Sequence, residues 1–151
     1  MLVAMLSANE RYLRKLKEAG NSNTVARSAV FGALFASEHT PLSMAELIKR
    51  TFAYGDRSSI YRAVKVLEDI GVVKRLNIGW KYKLELSEEF HGHHHHITCE
   101  KCGRTDTLTD ENLEKIVKNS AAQAGYRISD HILDIRGVCA ACQKIRAAKN
   151  K

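Results

Sequence analysis

Residues 93–102 of this 151-residue chain read HHHHITCEKC. They supply four imidazoles and two thiols, and both groups are common ligands of transition metals. We therefore expect a metal-binding fold whose remaining ligands lie elsewhere in the chain. The alternative interpretations are a solvated polar strand or an expression tag. A tag is disfavoured because only four histidines are consecutive and ordinary globular sequence flanks them on both sides.

The four cysteines form two Cys-x-x-Cys pairs, Cys99/Cys102 and Cys139/Cys142, with 36 residues between the pairs. Two short clips joined by a long loop are a common way to build a structural zinc site with four thiolates. The alternatives are a redox switch and unligated thiols. The spacing favours a structural zinc site with four cysteine ligands.

The histidine run divides in two if residues 93–98 form an extended strand, because alternate side chains of a strand face opposite sides. His94 and His96 then project to one face, and His93 and His95 project to the other. One strand could therefore serve two different metal sites with two imidazoles each.

Each of these sites needs further ligands, and three isolated residues are candidates. Glu85 lies on the polar side of a predicted strand and can join one site. Glu114 and His131 can join the other. Mixed histidine and carboxylate ligation suits Fe(II), Mn(II), Co(II) or Zn(II).

The first half of the chain has the pattern of helices followed by a hairpin. Helices are predicted over residues 7–19, after a cap at Asn23 or Thr24, and from Ser43 towards Gly55. A fourth helix follows the cap Asp56, and strands at 72–76 and 81–86 flank a turn at 77–79. This order predicts a winged helix-turn-helix.

The polar face of the fourth helix is the candidate DNA-binding surface. It carries hydroxyl and basic side chains, Arg57, Ser58, Ser59, Tyr61, Arg62 and Lys65. Residues 1–86 hold 14 Lys and Arg against 8 Asp and Glu, whereas residues 87–151 hold 10 against 9. A basic first half fits a nucleic-acid surface. The alternative is an ordinary amphipathic helix with a solvated basic face.

The second half has its own pattern after a hinge at residues 87–92. A short strand takes in the histidines, and a second strand is expected at 105–108. A helix from Asp110 to about Ala124 precedes a long strand over 126–138, and residues 144–151 are expected to fray. The fold class is therefore α+β, with a winged-helix DNA-binding domain at 1–86 and a small α/β metal-binding domain at 93–151, to which the family resemblance described below assigns dimerisation.

No apolar run approaches the roughly 20 residues that a membrane-spanning helix needs. The first six residues are mildly apolar, but no basic segment precedes them, so we predict no signal peptide. We expect a cytoplasmic protein without a membrane partner.

Four segments occur in an order that is similar to the ferric uptake regulator family of metal-dependent repressors. They are 58–67 (SSIYRAVKVL), 93–103 (HHHHITCEKCG), 131–137 (HILDIRG) and 139–142 (CAAC). The resemblance covers roughly residues 10–145. It implies a homodimer that binds double-stranded operator DNA through an N-terminal winged helix, with metal at the hinge setting the angle of the two DNA-binding heads.

The resemblance also implies roles for the candidate ligands. Structural zinc is assigned to Cys99, Cys102, Cys139 and Cys142. An inter-domain sensory site is assigned to Glu85, His94 and His96, and a second site within the dimerisation domain to His93, His95, Glu114 and His131. The DNA contacts are assigned to the fourth helix, at Tyr61 and Arg62.

The chain departs from the family where the first domain usually gives a histidine to the sensory site. Pro41 stands at that position, and His39 is the candidate replacement. The metal is expected to be Fe(II) or Mn(II), because zinc-sensing members often have a cysteine in place of Glu85 and peroxide-sensing members typically have an aspartate.

The predicted function is a metal-responsive repressor. A zinc-dependent hydrolase is the alternative from another class, but a His-Glu-x-x-His motif is missing from the sequence. A metal-storage protein is a third interpretation, and it would not need a basic winged helix.

Overall fold

The computed structural model describes residues 2–78, 81–108, 110–129, 131 and 133–149. The chain divides into two compact units, Met1–His93 and His94–Lys151. Both units contain helices and strands, so the predicted α+β class is confirmed. Among the described residues, no helix combines the length and apolarity needed to cross a membrane.

The first unit is a winged helix. Its elements are α1 (Leu2–Glu18), α2 (Val25–Ala36), α3 (Met44–Thr51), α4 (Arg57–Asp69), β1 (Val73–Ile78), β2 (Lys81–Leu86) and α5 (Glu88–His91). A single 3₁₀ turn, Phe52–Tyr54, joins α3 to α4. Helix α1 begins five residues before the predicted start, and α5 occupies most of the segment predicted as a hinge.

Side-chain caps fix the starts of three of these helices where the sequence predicts them. The hydroxyl of Thr24 accepts a hydrogen bond from the backbone of α2. Ser43 and Glu46 form a reciprocal capping box at α3, and the carboxylate of Asp56 accepts a bond from the backbone N–H of Ser59 at 2.7 Å. Each cap satisfies a helix N–H that would otherwise have no partner.

The apolar core of the first unit centres on Phe31 of α2. The ring of Tyr12 from α1 stacks on Phe31 at 4.3 Å, and the ring of Phe90 meets it edge-on at 5.3 Å. Because Phe90 belongs to α5, that short helix is part of the same core. The predicted stripe of α4 is buried here as well, with Ile60, Val64 and Leu67 each at most 3% exposed.

The wing is an antiparallel hairpin in which Val73 pairs with Leu86 at one end and Ile78 with Lys81 at the other. Residues Gly79 and Trp80, in the region of the predicted turn, lie outside the described residues. An isolated bridge joins Leu42 to Leu84 of β2, with N–O distances of 2.9 and 2.7 Å. The short segment before α3 therefore runs alongside the wing.

The second unit is a three-stranded sheet with two helices. Its elements are β3 (His95–Cys99), β4 (Thr105–Leu108), α6 (Glu111–Gln123), β5 (Asp134–Gly137) and α7 (Ala140–Lys149). The strand order is β4-β3-β5, with β4 antiparallel and β5 parallel to the central strand. Strand β4 and helix α6 lie where the sequence predicts them.

Two predictions for the second unit are wrong. Within the span 126–138, where a long strand was expected, the described residues contain only β5, because β3 is its only partner among them and the ladder starts where His96 meets Asp134. Asp130 and Ile132 lie outside the described residues. Residues 144–149, expected to fray, continue α7. That helix starts inside the second cysteine clip, where the N–H of Gln143 donates to the carbonyl of Cys139.

The capping box of α3 gives the first testable prediction. Ser43→Ala removes the hydroxyl that accepts from the Glu46 N–H, and we expect the free energy of unfolding to fall by about 1 kcal/mol. Hydrogen bonds from the side chain and then the backbone of Ser43 lower the pKa of Glu46. The carboxylate stabilises the folded state above its ordinary pKa of 4.5, so the difference between variant and parent should shrink as pH falls below that value.

Urea unfolding at pH 7 and pH 4 measures both effects. Ser58→Ala is the control, since it is an exposed serine in the first turn of α4. An equal loss of stability in the two variants would contradict the prediction.

Candidate metal centres and nucleic-acid face

The four cysteines converge at one end of the second unit. Cys99 ends β3, Cys102 lies in the tight turn that follows, and Cys139 and Cys142 flank the start of α7. Their four Sγ atoms all lie within 4.8 Å of one another, and Cys102 and Cys139 are 3.8 Å apart. A tetrahedron with Zn–S bonds of about 2.3 Å has edges of about 3.8 Å. The thiols therefore fit a tetrahedral zinc ion.

Backbone hydrogen bonds favour the thiolate form of one cysteine in this cluster. The N–H groups of Cys139 and Cys102 point at the Cys99 sulfur and lower the pKa of that thiol to about 6. The neighbouring thiols, Cys139 first, raise the pKa of Cys142 to about 12. The four sulfurs cannot all ionise at neutral pH by themselves, because each thiolate disfavours the next. A divalent cation bound among them would supply the charge that lets them do so.

Three potential ligands, His95, Glu114 and His131, meet around the start of β3. Nε2 of His95 lies 2.6 Å from Oε1 of Glu114, and Nε2 of His131 lies 3.3 Å from the same oxygen. The two Nε2 atoms are 3.2 Å apart. Ligand atoms bound to one metal at 2.0–2.1 Å are about 2.9–3.4 Å apart, depending on geometry. The two contacts of His131 lie in this range and the contact between His95 and Glu114 is shorter, so the cluster has approximately the spacing of a metal site.

His96 lies on the other face of β3 from His95, and His94 comes immediately before the strand. Their ring centroids are 4.9 Å apart and their planes are nearly perpendicular, at 89°. The side chain of His94 is only 9% exposed. Alternation along the strand therefore separates these two rings from His95, as the sequence predicts. Glu85 is 6% exposed on β2 in the first unit, and its membership of this site stays a prediction.

His93 ends the first unit, where its Nδ1 lies 2.9 Å from Oε2 of Glu88. The same carboxylate binds the ammonium group of Lys74 in the wing at 2.7 Å. Lys74 first, and His93 next, lower the pKa of Glu88 to about 2, so this carboxylate stays ionised at neutral pH. The assignment of His93 to the second metal site stays a prediction.

Pro41 occupies the position where a first-domain histidine was expected. Because Leu42 pairs with Leu84 in an antiparallel bridge, Pro41 lies opposite Glu85 in the continuation of that pairing. His39 lies two residues earlier, in the turn after α2, and its ring centroid is 5.3 Å from that of His91. Sequence reasoning assigned no role to His91, since it stands alone in a segment without periodicity.

The predicted DNA-binding residues form one exposed side of α4. Arg57, Ser58, Tyr61, Arg62 and Lys65 are exposed, whereas Ser59 is partly buried. Arg62 donates to the hydroxyl of Ser59 at 3.2 Å, and Lys65 binds Asp69 at 2.6 Å. All five exposed side chains carry hydrogen-bond donors suited to phosphates or base edges.

The sequence profile of the ferric uptake regulator family matches residues 18–136, which is most of the chain. The chain belongs to the ferric uptake regulator family. A ferric uptake regulation protein from Legionella pneumophila is 34% identical over 134 residues, covering 86% of this chain and 97% of that protein. Family membership makes the chain a metal-responsive transcription regulator, not an enzyme, and so excludes the hydrolase and storage interpretations.

Solved structures of the family share the fold. The Helicobacter pylori ferric uptake regulator, described as having three functional metal-binding sites, superposes with a TM-score of 0.77 at 26% identity and covers 91% of this chain and 92% of its own. A zinc-bound manganese uptake regulator gives a TM-score of 0.67 at 28% identity, with 83% of this chain and 96% of its own covered. The winged helix and the small sheet domain are therefore features that the chain shares with the family.

Proposed function

We propose that this chain is a homodimeric repressor that binds operator DNA when Fe(II) or Mn(II) occupies a sensory site formed by Glu85, His94 and His96. The observation that carries the proposal is the division of imidazoles on β3, with two rings 4.9 Å apart on one face and His95 on the other. This segment would then supply imidazole ligands to two different metal sites. The sensory site is the one that includes a ligand from the wing.

The ligand chemistry supports iron or manganese. A carboxylate with imidazoles is a harder donor set than the thiolates of the cysteine cluster, and it suits divalent metals that exchange. The H. pylori relative is described with three functional metal sites, the number that this chain offers in its cysteine cluster and two histidine groups. The alternative is a zinc- or peroxide-sensing member of the family. Because a manganese uptake regulator with a similar fold is described as zinc-bound, zinc is included among the metals to be tested.

The remaining ligands are proposed to form a structural zinc site and a second site within the dimerisation domain. Cys99, Cys102, Cys139 and Cys142 would hold Zn(II) throughout. His93, His95, Glu114 and His131 would form the second site.

The exposed side of α4 is the proposed major-groove surface. Arg62 and Tyr61 lie at its centre, and residues 1–86 carry a net charge of +6. Phosphate contacts from such a basic unit make binding strongly dependent on salt. Operator binding inside the cell would place the protein in the cytoplasm.

The second unit supports dimer formation. Helix α6 has no buried side chain within a single chain, and Ile116 is 61% exposed on it. Regulators of this family bind DNA and act as dimers. A dimer would cover this apolar surface and would present two copies of α4 to the two halves of a pseudo-palindromic operator.

Metal can act only through the difference in its affinity for the DNA-binding and non-binding states. A coupling free energy of ~1–3 kcal/mol corresponds to roughly 5–150-fold tighter DNA binding. Sensory ligands drawn from both units provide such a difference, because only some arrangements of the units would bring all ligands to one ion.

Fluorescence anisotropy tests this proposal. The zinc-loaded protein is titrated onto a labelled duplex, selected from a random pool with the Mn(II)-loaded protein, without added metal and with Fe(II), Mn(II), Zn(II) or Ni(II). We expect roughly 5–150-fold tighter binding with Fe(II) or Mn(II). The double variant His94→Ala/His96→Ala should lose this response and keep its circular dichroism spectrum.

The matched control is His95→Ala/His131→Ala, which makes the same substitutions in the other histidine cluster. If no metal changes the affinity of the parent protein, the repressor mechanism is wrong. If only the control loses the response, sensing belongs to the His95 cluster instead.

A further inference from the structure

One arginine of the wing is bound to helix α4. Arg75 of β1 reaches Glu68 near the end of that helix, where its Nε donates to Oε1 at 2.8 Å and its Nη2 donates to Oε2 at 2.7 Å. Two parallel hydrogen bonds between a guanidinium and a carboxylate are stronger and more directional than a single contact. The pair therefore fixes the direction of the Arg75 side chain and also neutralises its charge.

The ring of Tyr82 from β2 completes this contact. The central carbon of the Arg75 guanidinium lies 4.1 Å from the centroid of the Tyr82 ring. A planar guanidinium stacks on an aromatic face, whereas the ammonium group of a lysine cannot make the same contact. Tyr82 is partly buried and packs against the apolar core of the first unit. We call Arg75, Glu68 and Tyr82 together the wing clamp.

The register of the hairpin explains why these side chains meet. Arg75 pairs with Leu84, and the next pair on the same face joins Asn77 to Tyr82. Arg75 and Tyr82 are therefore diagonal neighbours on one face of the hairpin. Leu84 on that face is fully buried in the core. The wing clamp lies at the edge of this core, where the side chain of Glu68 is 16% exposed and that of Arg75 is 44% exposed.

The neighbouring acidic residue of α4 makes a different kind of pair. Asp69 binds Lys65 at 2.6 Å, but both residues belong to α4 and both side chains are more than half exposed. An exposed pair within one helix contributes little to stability and joins no two elements. Glu68 and Asp69 are thus consecutive carboxylates that each neutralise one basic side chain, and only Glu68 connects α4 to the wing.

Direct binding of DNA phosphates is the competing role for Arg75, because arginine is a common phosphate ligand. A phosphate would have to displace a bidentate carboxylate that already engages Nε and Nη2. Arg57 and Arg62 on α4 form no ion pair within the part of the chain that the structure describes, so they meet no such competition. The geometry favours an internal role for Arg75.

We propose that Arg75 is a positioning residue that holds the wing beside α4 through Glu68 and Tyr82 and does not itself contact DNA. The inference rests on the proposed function, because it concerns how the DNA-binding unit is arranged. The wing carries Lys81 and Lys83 on β2. A hairpin that is already fixed can bring these lysines to phosphates beside a groove occupied by α4 without the entropy cost of ordering it on the DNA.

Removal of single carboxylates separates the two roles by the sign of the effect. Binding of the selected duplex is measured by anisotropy with the zinc-loaded protein and saturating Mn(II). Glu68→Gln and Asp69→Asn each remove one negative charge from α4, and by charge alone both should tighten DNA binding. We expect Glu68→Gln to weaken binding about fivefold or more, within the roughly 2–150-fold range of coupled residue networks. Asp69→Asn should bind at least as tightly as the parent.

Salt titrations of two arginine variants give an independent readout. Loss of a phosphate contact reduces the slope of log Kd against log salt concentration by about one. We expect Arg75→Gln to weaken binding as Glu68→Gln does and to leave this slope unchanged, whereas Arg62→Gln should reduce it. The double variant Arg75→Gln/Glu68→Gln should bind no more weakly than the weaker single variant, because both substitutions open one clamp.

Amide hydrogen exchange shows whether the clamp acts on the wing of the folded protein. Exchange in β1 and β2 should be faster in Glu68→Gln than in Asp69→Asn, at a temperature well below thermal unfolding of both. DNA binding by Glu68→Gln at parent affinity or tighter, or a reduced salt slope for Arg75→Gln, would overturn the inference and leave the proposed function standing. A parent protein whose DNA affinity responds to no metal overturns the proposed function instead.

Discussion

Cys142→Ser is expected to unfold the second unit while the first unit stays folded. Among the described residues of the second unit, Cys99 is the only apolar side chain that is buried, and it is 5% exposed. The buried apolar cluster lies wholly in the first unit, between Ala8 and Phe90. A small unit without an apolar core depends on metal or on a partner for its stability.

The size of the effect follows from the energy of zinc binding. Structural zinc contributes roughly 10–16 kcal/mol in small zinc-dependent peptides, comparable to the whole stability of a domain. A serine hydroxyl is a poor substitute for the fourth thiolate. We therefore expect loss of bound zinc and loss of the β3–β5 ladder.

Zinc content, circular dichroism and limited proteolysis measure this outcome. Cleavage should become rapid after residue 93 and stay slow before it. Ala141→Ser is the matched control, because it places a hydroxyl on the exposed neighbouring residue of the same clip. Retention of proteolytic protection in a zinc-free Cys142→Ser protein would show that zinc is dispensable for the fold.

Ile116→Glu should convert the proposed homodimer to a monomer. Ile116 is 61% exposed on α6, with the partly buried Leu113 and Val117 beside it. A carboxylate at this position would lose its hydration in an apolar interface without gaining a partner. We expect the dimer dissociation constant to rise by on the order of 100-fold or more.

Loss of the dimer would also weaken operator binding, because each monomer engages only one half-site. Sedimentation velocity and anisotropy together measure the two effects. Lys118→Glu is the control, since it lies on the opposite side of α6 and changes the charge by twice as much. If Lys118→Glu dissociates the dimer and Ile116→Glu does not, the side of α6 that carries Lys118 forms the interface instead.

The features that were predictable from sequence are those with a local cause. The starts of α2, α3, α4 and α6 follow directly from the caps Thr24, Ser43, Asp56 and Asp110, whose side chains bond to the next turn. The separation of His95 from the neighbouring imidazoles follows from strand alternation alone. These rules act over two to four residues, so a single sequence carries them.

The features that were missed depend on distant partners. Strand β5 is short because β3, more than thirty residues earlier, offers only a short ladder. The contact between His39 and His91 joins two segments 52 positions apart, and neither has a periodic pattern. Helix α7 was missed because its basic residues suggested a solvated tail, although Lys and Arg are good helix formers.

The parallel pairing of β3 with β5 has a consequence for the order of events during synthesis. The winged helix, including Phe90 of α5, is synthesised before residues 134–142. Domains generally fold as units from the N-terminus. The first unit can thus fold before Cys139 and Cys142, which complete the cysteine cluster with Cys99 and Cys102, have been synthesised. Nascent chains halted in this interval would carry a folded winged helix without the second unit, through which the proposed dimer forms. Binding of zinc to the completed second unit would then be needed before two such chains could act together as a regulator.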